Sequence, residues 1–323
     1  VIAAPDAAPV SVTDRILAFL LLVGCWLWMS RAHLENVDVA RAEAKARLHG
    51  LVLEKAAPDP YQYKLFAIAH ALEVVKNRTE APLEDVFYGN TIASLAFLVL
   101  LHHLWLRSVA PRGTALFGGV LLAALANVLF LDYFHHPHEF WGVGLFCLLL
   151  AGIRRGWDWK GLAVLGLVTG ALWEKHALLP VVWGLHRLGK GDKVLVTAAR
   201  GIVFLAACLA FPLAIRHYLG SDRSHVDGDT PLEAQDWGKV LWFQGAFLLP
   251  FAAMFLLRFR RIPGLVRLLW LYLPALVAAY ASQSFILHEV RSFWALVPVF
   301  TATACAVTAH VGPRPAPAAV VPT

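Results

Sequence analysis

The stretch ALWEKHALLP, residues 171–180, sets Glu174, Lys175 and His176 side by side in an otherwise apolar run. Ionisable groups at membrane depth are costly, so such a trio is a functional candidate by default. Lys175 and His176 can hold a phosphate, with Glu174 orienting one of them. The plainer reading is a mutually neutralised turn with Lys175 snorkelling to the interface. The densest ligand-capable cluster is Asp132, His135, His136, His138 and Glu139, in DYFHHPHEF. Imidazole and carboxylate together can hold a divalent metal, Mg or Mn, and protonated imidazole can bind phosphate. A polar interfacial loop capped by Trp141 is the alternative. In HEVRSFW, Arg291 suits bidentate contact with a phosphate, flanked by His288 and Glu289. A Glu289–Arg291 ion pair at a helix end reads as well. Tyr63 and Lys64 can meet a sugar or lipid headgroup by stacking and charge, or simply anchor the interface.

These residues need elements to position them. The chain has 323 residues, 59% of them hydrophobic and 15% charged, with a mean hydropathy of +0.62. A soluble domain carries about 25% charged residues. The apolar residues gather in runs at 16–30, 90–106, 114–131, 140–153, 161–173, 177–186, 197–217, 239–257, 265–285 and 292–310. Most approach the length needed to cross ~30 Å of hydrocarbon. The composition therefore predicts an all-α polytopic membrane protein, a single integral domain over residues 1–323 with about nine or ten transmembrane or half-spanning helices. No basic stripe with interleaved aromatics points to nucleic acid. The four cysteines all fall inside apolar runs without metal-like spacing, which argues against a zinc site or a disulfide framework. LVGC, ending at Cys25, reads as helix interior and not as a lipoprotein box, because apolar WLWMS follows it.

Charge orders these runs across the bilayer. Arg107 and Arg112, then Arg154, Arg155 and Lys160, then Arg187, Lys190 and Lys193, then Arg258, Arg260, Arg261 and Arg267 occupy short loops. Lys and Arg are retained on the cytoplasmic side. The loop SDRSHVDGDTPLEAQDW is acidic and belongs outside. One helix over 161–187 would invert every later loop. A hairpin turning near Glu174–His176 satisfies all of them and sets the trio on or near the external face. Both termini, including the tail 311–323, are then cytoplasmic, and 31–89 is a long external loop. Within that loop, VDVARAEAKARLHGLVLEKA and YKLFAIAHALEVVK have helical composition and spacing. They predict two amphipathic helices on the membrane surface.

Several of these stretches resemble one family. NVDVARAEAKARLHG, DPYQYKLFAIAHAL, the long run from HPHEFWG to ALWEKHALLPVVW, and HEVRSFWALVPVF are similar to segments of the bacterial GT-C superfamily. Its members are polytopic inner-membrane glycosyltransferases that use polyprenyl-phosphate-linked sugars in building the cell envelope. The resemblance implies sugar transfer, with inversion, outside the cytoplasm. It implies a base at Asp38, just after the first membrane helix, and a second acidic position at Glu139. The lipid bilayer and the lipid-linked sugar are then the partners. Two departures stand out: the first loop lacks paired acidic residues, and the chain has no soluble domain after its last helix. A transporter or flippase for an anionic or lipid-linked substrate, and a noncatalytic membrane subunit, are the competing classes.

Overall fold

The computed structural model describes residues 12–35, 39–57, 65–129, 137–172, 174–219, 238, 245–282 and 294–309, and every regular element among them is helical. Three helices are long and apolar enough to cross a membrane: α1 (Val12–Glu35), α4 (Leu83–Val109) and α9 (Val194–Leu219). Between α1 and α4 lie α2 (Val39–Leu53) and α3 (Phe66–Thr79). After α4 come α5 (Arg112–Leu129), α6 (Pro137–Arg155), α7 (Trp159–Gly170), a 3-10 turn (Glu174–Leu178) and α8 (Leu179–Leu188). After α9 come α10 (Gly245–Leu257), α11 (Gly264–Leu269), α12 (Tyr272–Ser282) and α13 (Val297–Thr308). Ile16, Phe19 and Leu20 of α1 and Leu195, Ile202 and Leu213 of α9 are exposed. So large an apolar surface suits lipid and not water. The architecture is consistent with a helical membrane protein.

Local chemistry sets the helix ends. Pro82, in extended conformation, precedes α4, whose first turn carries Glu84 and Asp85 and whose last turn carries Arg107. Both placements suit the helix dipole. Asp158 caps α7 by accepting from the Lys160 amide. The turns after α6 and α8 pass through Gly156 and Gly191 at φ of +77° and +90°, a region open to glycine at no steric cost. The apolar run at 265–285 divides between α11 and α12. Pro274 has no amide to give the Trp270 carbonyl, and its ring crowds that oxygen.

Pairwise contacts fix the directions. The Trp26 indole donates to the Ile92 carbonyl (3.0 Å) and Arg112 donates to the Asp14 carbonyl (2.7 Å), joining α1 to α4 and to the start of α5. Trp141 donates to Asn90 (3.0 Å), and Gly144 abuts Phe97 and Leu98, so α4 and α6 run parallel. Cys305 reaches the Thr114 carbonyl, and His102 bonds Thr301 (2.8 Å), which sets α13 parallel to α4. Phe251 stacks on Phe300 and Phe255 on Trp270, bringing α10 and α11 alongside α13. The turns carrying Arg107, Arg112, Arg154, Arg155, Arg187, Lys190 and Arg258–Arg261 therefore gather at one end of the bundle.

The chain reverses between α7 and α8. Along α9, Arg200 lies over the Trp159 ring, Phe204 and Cys208 face Gly166, and Cys208 and Pro212 face Gly170, so α7 runs parallel to α9. Gly201 faces Pro180 and Trp183, while Thr197 faces Gly184, so α8 runs the other way. Small residues let these backbones approach closely. The arms are short: 12 and 10 residues against 26 in α9. At 1.5 Å per residue they rise about 18 and 15 Å beside about 39 Å of α9. The turn at 174–178 therefore stops part-way along α9, short of its Leu219 end.

Candidate functional site

The far end, opposite the basic turns, carries a two-helix cap. Val52, Leu65 and Ala69 form one apolar cluster between α2 and α3, and Leu72, Val86 and Phe87 form a second that joins α3 to α4. Each large side chain so buried contributes about 1.5–3 kcal/mol. Lys45 and His49, one turn apart on α2, both rest on Phe87. The Lys45 amine lies 4.4 Å from the ring centroid, and His49 meets the ring edge-on. Burial lowers the Lys45 pKa from 10.5 to about 8. Burial also holds His49 below its ordinary value, against the raising effect of Glu73 at 3.3 Å. Hydrogen bonds from Lys76 and then His49 keep the Glu73 carboxyl below its usual range. At its other edge the cap is tied to α9: Lys55 donates to the Tyr218 hydroxyl (2.8 Å) and lies over its ring.

Two of the sequence-predicted site residues have described side chains, and both are buried. Glu139, in the first turn of α6, is 9% exposed, and His176, in the 3-10 turn, is 0% exposed. They belong to adjoining parts of the interior. Phe146, two turns along α6 from Glu139, meets Tyr272 edge-on, and the Tyr272 hydroxyl donates to the His176 carbonyl (3.5 Å). Phe140, next to Glu139, lies 6.3 Å from Trp294 just before α13. Trp141 fixes this end of α6 to Asn90 of α4. A buried carboxylate in the first turn of α6 and a buried broken helix part-way along α9 thus lie in adjoining parts of the bundle interior.

The remaining candidates fall elsewhere. The backbone of Glu174 and Lys175 is in the 3-10 turn, but their side chains lie outside the described residues, as does that of His138. Asp38, Tyr63, Lys64, Asp132, His135, His136, His288, Glu289 and Arg291 lie outside the described residues altogether. Among the described residues no group of three or more His, Cys, Asp or Glu is placed to hold a metal. The four cysteines are free and buried in four different helices.

Sequence reasoning passed over the Lys45–His49–Phe87 contact, because the helix reads as a solvated Lys- and Glu-rich segment. The i, i+4 spacing of Lys45 and His49 was the available signal. His102 is buried in α4 and bonded to Thr301, itself bonded to the Val297 carbonyl. That pair and the Trp270–Thr303 bond (3.0 Å) fasten α13 from two sides. Such polar ties between apolar helices contribute about 0.6–2 kcal/mol each. The chain matches no protein-family model, no curated protein and no solved structure.

Proposed function

We propose that the chain is a membrane glycosyltransferase of GT-C type, moving a sugar from a polyprenyl-phosphate donor to an acceptor on the extracytoplasmic face. The observation that carries this reading is a buried carboxylate, Glu139, and the buried turn of a broken helix at His176, in adjoining parts of the interior of a bundle capped by α2 and α3. A donor whose tail lies in lipid needs its reacting head met by polar groups inside the bundle. A broken helix supplies them, since irregular backbone at membrane depth is tolerated where it is buried in protein or lines a cavity.

In this reading Asp38 takes the proton from the acceptor hydroxyl, with Glu139 as the second acid or base. Lys175, His176 and Arg291 meet the phosphate as charge develops on it. Glu174, His288 and Glu289 orient those cations, and Tyr63 and Lys64 contact the sugar or the headgroup. A divalent Mg or Mn would be held by Asp132, His135, His136, His138 and Glu139, lending further charge to the departing phosphate. The basic end faces the cytoplasm, both termini lie there, and about nine or ten helices span or half-span the inner membrane.

The test is transfer of labelled sugar from a polyprenyl-phosphate donor by purified protein, with Asp38→Asn and Glu139→Gln beside it. Each variant is expected to lose transfer by roughly 10²-fold or more. Undiminished transfer in both removes these residues from the mechanism. The broken helix also suits a transporter. Donor movement across liposomes without sugar transfer would favour that second reading.

A further inference from the structure

Two turns at the basic end bring four cationic or basic side chains together. Arg154 closes α6. His186 and Arg187 close α8, and Lys190 follows in the turn to α9. Because α7 and α8 form a hairpin, the α6–α7 turn comes back beside the α8–α9 turn, and His186 lies in the combined field of Lys190, Arg154 and Arg187. Among the described residues, Arg187 has a carboxylate in hand: Asp192, held at 2.7 Å from both Nε and Nη2. Gly191, at φ +90°, makes that return possible, with the Asp192 amide bonded to the Arg187 carbonyl (3.3 Å). Arg154 and Lys190 are left exposed, and His186 keeps an enclosed Nε2 with no hydrogen-bond partner among the described residues.

Like charges drawn together repel unless an anion sits among them. The surroundings say which kind. Val181 and Leu185, on the outer face of α8 leading up to His186, are 52% and 41% exposed. A row of exposed apolar side chains running into a cluster of cations matches an acyl chain with a phosphate at its head. We propose that Arg154, His186, Arg187 and Lys190 bind the phosphate of an anionic phospholipid whose chain lies along Val181 and Leu185. Arg154 and Lys190 supply the free charge, His186 a ring nitrogen at the inner edge, and the Arg187–Asp192 pair the fixed wall. This site lies at the opposite end of the bundle from Glu139 and does not depend on the transferase reading.

The unfolding midpoint of the full chain in neutral detergent tests it, measured with added phosphatidylglycerol, phosphatidylcholine or inorganic phosphate. Phosphatidylglycerol is expected to raise the midpoint by several degrees, and the other two to leave it unchanged. The double variant Arg154→Gln/Lys190→Gln is expected to lose at least half of that rise. Arg260→Gln/Arg261→Gln removes the same charge from another turn of the same end and is expected to keep it. Equal loss in both double variants overturns the site in favour of diffuse charge. An equal rise with phosphatidylcholine overturns the need for an anion, and a rise with inorganic phosphate alone overturns the lipid. If the double variant does not purify, Lys190→Gln, at an exposed side chain, carries the same comparison.

Discussion

Lys45 carries an ammonium into an apolar contact at only 6% exposure, and the consequence is a pH dependence of the cap. The folded chain holds this amine at about 8 against an ordinary 10.5. Between those values the unfolded chain binds more protons, so stability rises with pH across the window. The full penalty is present below about pH 8 and is gone above the ordinary value; its ceiling is on the order of 3 kcal/mol. The Phe87 ring offsets part of it, by about 0.5–2 kcal/mol. Amide protection factors in α2 and α3 are therefore expected to increase from pH 8 towards pH 10. Lys45→Met is expected to stabilise the cap and flatten the trend; an unchanged slope in that variant would sink the assignment. None of this was legible in VARAEAKARLHG, where Lys45 looks like its solvated neighbours. Phe87 lies outside that segment, and only folding brings its ring beneath the amine.

The α7–α8 hairpin is the element on which the reading of the membrane half turns. Gly170 faces the Cys208 carbonyl of α9, and Gly166 faces the Cys208 sulfur and the Phe204 ring. A methyl at Gly170 meets backbone that has no room to yield, whereas one at Gly166 meets side chains. Gly170→Ala is expected to lower stability by about 1–3 kcal/mol, read as a fall in the unfolding midpoint. Cys208→Ala should leave that loss in place, since the obstacle is the carbonyl. It should relieve part of the loss caused by Gly166→Ala, since the Phe204 ring stays equally close. Equal rescue of both variants would show that the α7–α9 spacing has been misassigned. Charge parity alone required a turn near Glu174. It set the turn on or near the external face but could not fix how far the arms reach, because parity counts crossings and not their length. Depth came from helix ends: the Asp158 cap, Pro180 in the first turn of α8, and the Gly191 turn after it.

Across the whole molecule, the basic turns lie at one end and the α2–α3 cap at the other. Single cysteines at Arg78, exposed in the last turn of α3, and at Lys190 should therefore react from opposite sides of sealed vesicles. The native thiols are buried and give little background. A membrane-impermeant maleimide added to one side is expected to label Arg78→Cys or Lys190→Cys, never both. Labelling of both from the same side would break the two-ended arrangement. The same arrangement separates two kinds of chemistry. Buried Glu139 starts α6 at the cap end, His176 is buried part-way along the bundle, and the Arg154–Lys190 cluster faces the other end.

The helical class, the apolar belts, the two cap helices and the grouping of basic turns were legible in the residue pattern alone. Hydrophobic period and loop charge are local properties, and the bilayer reads them locally. How far the hairpin reaches, where the run at 265–285 breaks, and which charged groups are buried emerge in the folded chain. Burial and reach depend on partners distant in the chain: α9 beside Gly170, Phe87 beneath Lys45, Arg154 beside His186. No window of sequence contains both members of any of these pairs.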